Sequence, residues 1–276
     1  MTVEELQAMG FSKEDAEALV KAQGGGGGAG LPFPTLKINY DTKDVLSDFG
    51  VKKGEFIAGW KIDSSTLSVK EEGEVLKQPL EFFVVASAYQ KSHFDTASKS
   101  TTHATDIYFD PFSTKTQIDR KTGKTVEQVE KEMGSKLKFN NILLLMVKVG
   151  KEWKPYIHYM HGTNYYKWGE QLAEKGIDRN NMTLKYLFKV KSKKIPTDYN
   201  PAWIMEIVDV KERSMADIGG TASETAAAIQ KFNKWVASVN NGGTGAVSEE
   251  ETDRADHSDK SDSPFDINED EEIDFD

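Results

Sequence analysis

The chain has 276 residues, 38% of them hydrophobic and none of them cysteine, so there is material for a substantial core and none for disulfides, thiolate chemistry or cysteine-ligated zinc. Its net charge of −10 is unevenly spread: residues 248–276 hold 14 acids and 2 bases, residues 1–23 hold 5 acids and 2 bases, and 24–247 are left at +5. A basic body beside an acidic tail points to a polyanionic partner, or to control of one. The first residues carry acids where a secretion signal carries bases, and the longest apolar run, Ile142 to Val147, is too short to span a bilayer. We expect a soluble, cytoplasmic protein.

Residues 2–22 space Val3, Leu6, Ala16, Leu19 and Val20 at helical intervals around a break at Met9-Gly10-Phe11, which predicts a small helical hairpin over 1–23. The nearly pure glycine stretch 24–30 is a flexible linker spanning roughly 15 Å. The body, 31–240, reads mainly as strands at 35–40, 55–62, 80–91, 104–109, 138–149, 155–160, 183–193 and 202–211. Each is rich in β-branched or aromatic residues and bounded by Gly, Pro, Asp or Asn. Helices are predicted at 125–133, 163–175 and 222–239; in the last, Ala226, Ile229, Phe232, Val236 and Val239 share a face that should dock on the sheet. The fold class is therefore mainly β with helical insertions (α+β), built as a barrel or sandwich. Residues 241–276, rich in Gly, Ser, Asp and Glu, predict a disordered acidic tail.

No phosphate-cradling glycine loop, dinucleotide fingerprint, zinc-protease helix or nucleophile elbow occurs, so no catalytic residue, cofactor or metal is assigned. His158 and His161, three apart, fall on opposite faces of a strand, and His93 and His103 match no metal-ligand spacing. Surface or nucleic-acid-contacting roles suit these histidines better. Asp106 and Asp110 would serve a nuclease with dispersed acids, but solvated strand ends explain them more simply.

The stronger pattern is basic residues interleaved with aromatics. Alternation along 182–194 puts Leu184, Tyr186, Phe188 and Val190 on one face and Lys185, Lys189, Lys191 and Lys193 on the other. Such a stripe either contacts phosphates or guards a sheet edge. Residues 153–168 gather Trp153, Tyr156, Tyr159, Tyr165, Tyr166 and Trp168 with Lys154 and Lys167. Tyr165 and Trp168 read as buried, and Trp153, Tyr156, Tyr159 and Tyr166 as rings available to bases. Trp60 with Lys61, and Tyr89 with Lys91 and Phe94, repeat the mixture, and Lys115, Arg120, Lys121 and Lys124 surround a turn suited to backbone contacts. Rings that stack on bases for about 1–3 kcal/mol each, with cations tracking the phosphates, are the means of single-strand binding.

The tail adds a likeness. Glu269-Asp-Glu-Glu-Ile-Asp-Phe-Asp276, with Phe265, Ile267, Ile273 and Phe275 set in acid on a basic, β-rich body, resembles single-stranded DNA-binding proteins, especially the bacteriophage replication type. The likeness covers the tail and the general character of the body, and the chain differs by ending in Asp276 after Phe275. It implies an OB-fold-like barrel without enzymatic activity, found in the host cytoplasm if phage-encoded. That barrel would bind single-stranded DNA, or RNA, in replication, recombination and repair. It also implies self-association, and recruitment of a polymerase or helicase through Phe265, Ile267, Ile273 and Phe275. A coil over 240–276 spans roughly 33 Å against a body radius of roughly 17 Å, so the tail reaches the body's own groove and competes there with DNA. The alternative is a structural or scaffolding protein whose aromatics are core and whose tail is a solubiliser or partner hook. The 1–23 hairpin resembles the first two helices of a ubiquitin-associated domain without the third, and is expected to be a partner- or self-docking peptide.

Overall fold

The computed structural model describes residues 31–40, 45–63, 66, 68–95, 100–110, 112–113, 117–197, 201–213 and 221–241, besides Gln7 and Lys13. The predicted hairpin, glycine linker and acidic tail lie outside the described residues. The apolar run 142–147 is continuous because its strand, β8 (Lys138–Val149), is covered on both faces. Antiparallel neighbours flank it: β6 (Leu80–Asp95) on one side and β9 (Glu152–His161) on the other. β6 is long enough to serve two strands on its far side, β10 (Tyr186–Ile195) at its start and β7 (Ser100–Ala104) at its end. β11 (Ala202–Glu212) forms a hairpin with β10, giving the order β11-β10-β6-β8-β9 with β7 beside β6. A bulge between Val84 and Ala86 bends β6. Leu184, at φ 59°, turns there to donate its N–H to the Val84 carbonyl at 2.7 Å.

Before β6 come β1 (Leu36–Ile38), β2 (Phe56–Ala58) and β5 (Glu74–Leu76) in a three-stranded sheet, and β3 (Lys61–Asp63) and β4 (Ser68–Glu71) in a hairpin. Thr35 bridges Ile157, so the small sheet continues from the edge of β9. Its opposite side is tied to the β10–β11 hairpin: Gln78 Nε2 and Ser192 Oγ donate to the Gly54 carbonyl, and the Tyr40 hydroxyl donates to the Trp203 carbonyl.

The main sheet divides the core. Phe83, Val85, Ile142, Leu144, Met146, Ile157 and Tyr159 pack against α3 (Ala222–Asn240), which presents the five residues expected of it, with Trp235. The other face, with Phe82, Leu143, Leu145, Tyr156, Met160 and Phe188, closes on the small sheet and on Trp168 and Leu172 of α2 (Gly162–Glu174). α1 (Val126–Met133) lies in the long β7–β8 connection behind a capping box of Thr125 and Gln128. No helix among the described residues is long and apolar enough to cross a membrane.

β9 and β11 end the sheet and do not pair with each other. α2 begins where β9 stops and supplies what β11 lacks. Asn164 Oδ1 accepts from the Met205 N–H at 3.2 Å. The Gln171 amide donates to the Met205 carbonyl at 2.9 Å and accepts from the Ile207 N–H at 2.7 Å, standing in for a strand. Gln171→Glu keeps the acceptor and removes the donor, so we expect it to cost about 1–3 kcal/mol in urea unfolding. An unshifted midpoint would mean that solvent satisfies this edge equally well.

Candidate nucleic-acid interface

Five of the seven aromatic candidates are buried: Trp60, Tyr89, Phe94, Tyr156 and Tyr159. Tyr156 points to the inner face and donates to Glu74 at 3.0 Å; burial first, and then that carboxylate, push its pKa up. Tyr159 lies under α3, and Trp60 donates to the Glu74 carbonyl at 3.3 Å. These rings are walls of the core. Trp153 is half-buried against Phe83, centroids 5.2 Å apart, with the Lys148 ammonium 5.9 Å from its ring and Lys154 next in the chain. Among the seven, Tyr166 alone is broadly exposed, at 66%.

The lysines of β10 alternate outward as expected at Lys189, Lys191 and Lys193, but glutamates stand between them. Glu81 sits 3.4 Å from both Lys148 and Lys189, and Glu206 lies 3.0 Å from Lys191 and 2.5 Å from Lys193. Lys193 and then Lys191 hold the Glu206 carboxyl below the ordinary carboxylate range. Exposed pairs of this kind contribute at most about 1 kcal/mol, so they neutralise the stripe without locking it. Lys185 lies over the Tyr186 ring at 5.4 Å, and Lys61, Lys124 and Lys167 pair with Glu71, Glu132 and Glu170. Lys121 is exposed. Lys115 and the tail residues Phe265, Ile267, Ile273 and Phe275 lie outside the described residues.

Arg120 belongs to the fold: its Nη1 donates to the Val239 carbonyl at 2.5 Å, and its Nε is 3.8 Å from Asp106. The turn that carries it is built on Asp119, a buried carboxylate accepting from Ala104 N, Thr122 N, Thr122 Oγ1 and His103 Nδ1. Burial pushes Asp119 up, and those bonds outweigh it and hold the carboxyl low. Asp106 accepts from the Tyr108 hydroxyl at 2.9 Å, and Asp110 caps its own turn through the Phe112 N–H.

One set of aromatic and cationic side chains does converge, at the end of the sheet where β6 finishes and β8 begins. Tyr89 stacks on Phe139 at 5.6 Å, Phe139 meets Tyr165 edge-on at 5.3 Å, and Tyr165 meets Tyr166 at 5.6 Å. The run leads from a buried ring to an exposed one. Lys91 lies opposite Phe139 across the strands and donates to Gln117. Arg179, from the short 3-10 turn Arg179–Asn181, lies 4.0 Å over the Tyr165 ring and donates to the Tyr165 carbonyl at 2.8 Å. Exposed Lys136 and Lys138 precede Phe139.

On its other side β6 meets the connection that follows β7. Tyr108 bridges Tyr89, and Phe109 and Phe112 are 50% and 85% exposed. Burial raises the Tyr89 pKa, the Ser87 hydrogen bond opposes it, and the charges of Tyr165, Arg179 and Asp110 act on the same phenol. Sequence reasoning had three members of this group, Tyr89, Lys91 and Tyr166. It missed Phe139 and Arg179, and set Tyr165 aside as core; Phe109 packs instead on Phe232 of α3. Neither of the two missed residues carries a signal of its own, Phe139 being one more aromatic in a strand and Arg179 a lone cation in a polar connection.

His158 and His161 lie opposite Leu143 and Asn140 and so belong to opposite faces of β9. Among the described residues no three His, Asp or Glu side chains are grouped to hold a metal ion. No protein-family model matches the chain, and neither a curated protein nor a solved structure matches it.

Proposed function

We propose that the protein binds single-stranded DNA in a sequence-tolerant way and acts, without catalysis of its own, in replication, recombination or repair. The observation that carries this is the strand order. β6, β8 and β9 are successive neighbours and β10 returns beside β6, the 4-1-2-3 arrangement of a Greek key. β11 adds a fifth strand, and α2 bridges the third to the fifth. A five-stranded, partly open Greek-key barrel is the OB-fold, which takes oligonucleotides on its second and third strands and the loops beside them.

Here α3 covers the outer face of β8 and β9, so the reading assigns the nucleic acid to the sheet's end. There Tyr166 and Arg179 meet Tyr165, which packs on Phe139 at the start of the second strand. In sequence the acidic tail follows α3 directly. Asn240 exchanges hydrogen bonds of 2.8 Å with Ile107, and Arg120 holds Val239, so the end of α3 is tied to the connection that carries Tyr108. That origin supports competition between tail acids and DNA, with Phe265, Ile267, Ile273 and Phe275 serving a polymerase or helicase.

Fluorescence anisotropy of labelled oligo-dT against duplex over a salt series tests the reading. We expect single-strand preference with a steep salt slope, and tighter binding at low salt once 248–276 are deleted. The buried aromatics and glutamate-paired lysines favour the scaffold alternative, which stands if neither the full chain nor the truncation binds.

A further inference from the structure

Resting on that reading, we propose that Tyr166 and Arg179 form one base-and-phosphate contact on α2, and that Gly169 provides the space through which Arg179 reaches it. Glycine is among the poorest residues for a helix interior, and Gly169 stands in the middle of α2. Its backbone does not need glycine, since its φ lies outside the left-handed range. Its space does: a Cβ there would come within 2.0 Å of Arg179 Nη2 and 2.9 Å of Cζ. The missing side chain lets the guanidinium cross the helix and lie on Tyr165.

Once there, the guanidinium is held in place but still has unused donors. It stacks at 4.0 Å and uses one of its N–H groups on the Tyr165 carbonyl. Among the described residues it forms no ion pair, unlike Lys167, Lys189, Lys191 and Lys193. A planar cation with free donors suits a phosphate or a base edge. The next ring in the run, Tyr166, stands edge-on to Tyr165 at 75° and leaves a face to solvent on which a base can stack. A purely structural role for Arg179, pinning the 3-10 turn to α2, would use the same stack and hydrogen bond, so the test must separate the two.

Four full-length variants do so, each measured by oligo-dT anisotropy over a salt series and by urea unfolding. Tyr166→Ala is expected to weaken binding about 5- to 160-fold with the salt slope unchanged, as loss of one stacking ring does. Arg179→Ala weakens binding and lowers the slope by about 0.7, one phosphate contact on a single strand. Gly169→Ala, which removes no cation, weakens binding as Arg179→Ala does. In the Arg179→Ala background, Gly169→Ala then changes affinity no further and raises the unfolding midpoint, because alanine is the better helix residue and the clash is gone. Wild-type affinity in both Tyr166→Ala and Arg179→Ala would overturn the assignment, as would an equal loss from Gly169→Ala with and without Arg179. Failure of the wild type to bind oligo-dT at all would remove the single-strand reading itself.

Discussion

Phe232→Ala is expected to cost about 3–5 kcal/mol of folding stability, and to leave the single-strand affinity of the folded protein unchanged. Phe232 is fully buried between α3 and the sheet, with Trp235 at 5.6 Å and Phe109 at 6.3 Å. Eight other residues of α3 are buried beside it. At even about 1.5 kcal/mol for each large apolar side chain, docking of the helix is worth several kcal/mol. That is a large share of the roughly 5–15 kcal/mol that holds a domain together. DNA would have to repay it before gaining anything from the β8–β9 face. α3 is therefore part of the fold, and the proposed interface is assigned to the sheet's end. The opposite arrangement makes a different prediction: were α3 a lid over the binding face, loosening it through Phe232→Ala would tighten oligo-dT binding. Anisotropy and urea unfolding on the same variant decide between them.

How far the sequence could be read follows from what is local. β8 was predicted over 138–149, the span it occupies, because a run of six apolar residues between polar ends needs no partner to be recognised. α3 was legible for the same reason: a single apolar stripe declares its own docking face. The β10 strand was expected from 183, yet it starts at Tyr186, since Leu184 turns into the left-handed region to fill the bulge in β6. Alternation along 182–194 carries no trace of that bulge. β4 and β5, short and rich in exposed Glu and Lys, have no pattern to find. The aromatics of 153–161 misled in an instructive way. Their density suggested surface, but β9 is covered on both faces, by α3 over Tyr159 and by the small sheet over Tyr156, so the strand needs large rings on each. The candidate site itself joins β6, β8, α2 and a 3-10 turn separated by up to 90 residues, as from Tyr89 to Arg179. Arg179 and Phe139 look ordinary until the fold brings them to Tyr165.

Lowering the pH from 7.5 to 5 is expected to remove about 2 kcal/mol of stability through His158 alone, and about 3 kcal/mol by pH 4. His158 is buried on the inner face, where its Nδ1–H donates to the Leu36 carbonyl at 2.9 Å and its Nε2 has no hydrogen-bond partner among the described residues. Protonation would set a charged, unpaired N–H in an apolar interior. Burial accordingly pushes the pKa from 6.5 down to about 4; the Leu36 hydrogen bond opposes the shift and His161 adds to it. Between those values the unfolded chain binds a proton that the folded chain refuses, so stability is complete above pH 6.5 and falls as the pH drops toward 4. Asp119 does not share this window, since its lowered pKa makes its contribution fall only at still lower pH. His158→Asn keeps a donor near the Nδ1 position and does not titrate, so the wild-type-minus-variant difference in unfolding free energy isolates the imidazole. Parallel curves from pH 7.5 to 5 would mean that the ring is not held neutral in the folded chain. Because His158 is buried on the inner face, oligo-dT affinity per folded molecule should stay level while the fold weakens, which separates acid loss of the scaffold from acid loss of the site.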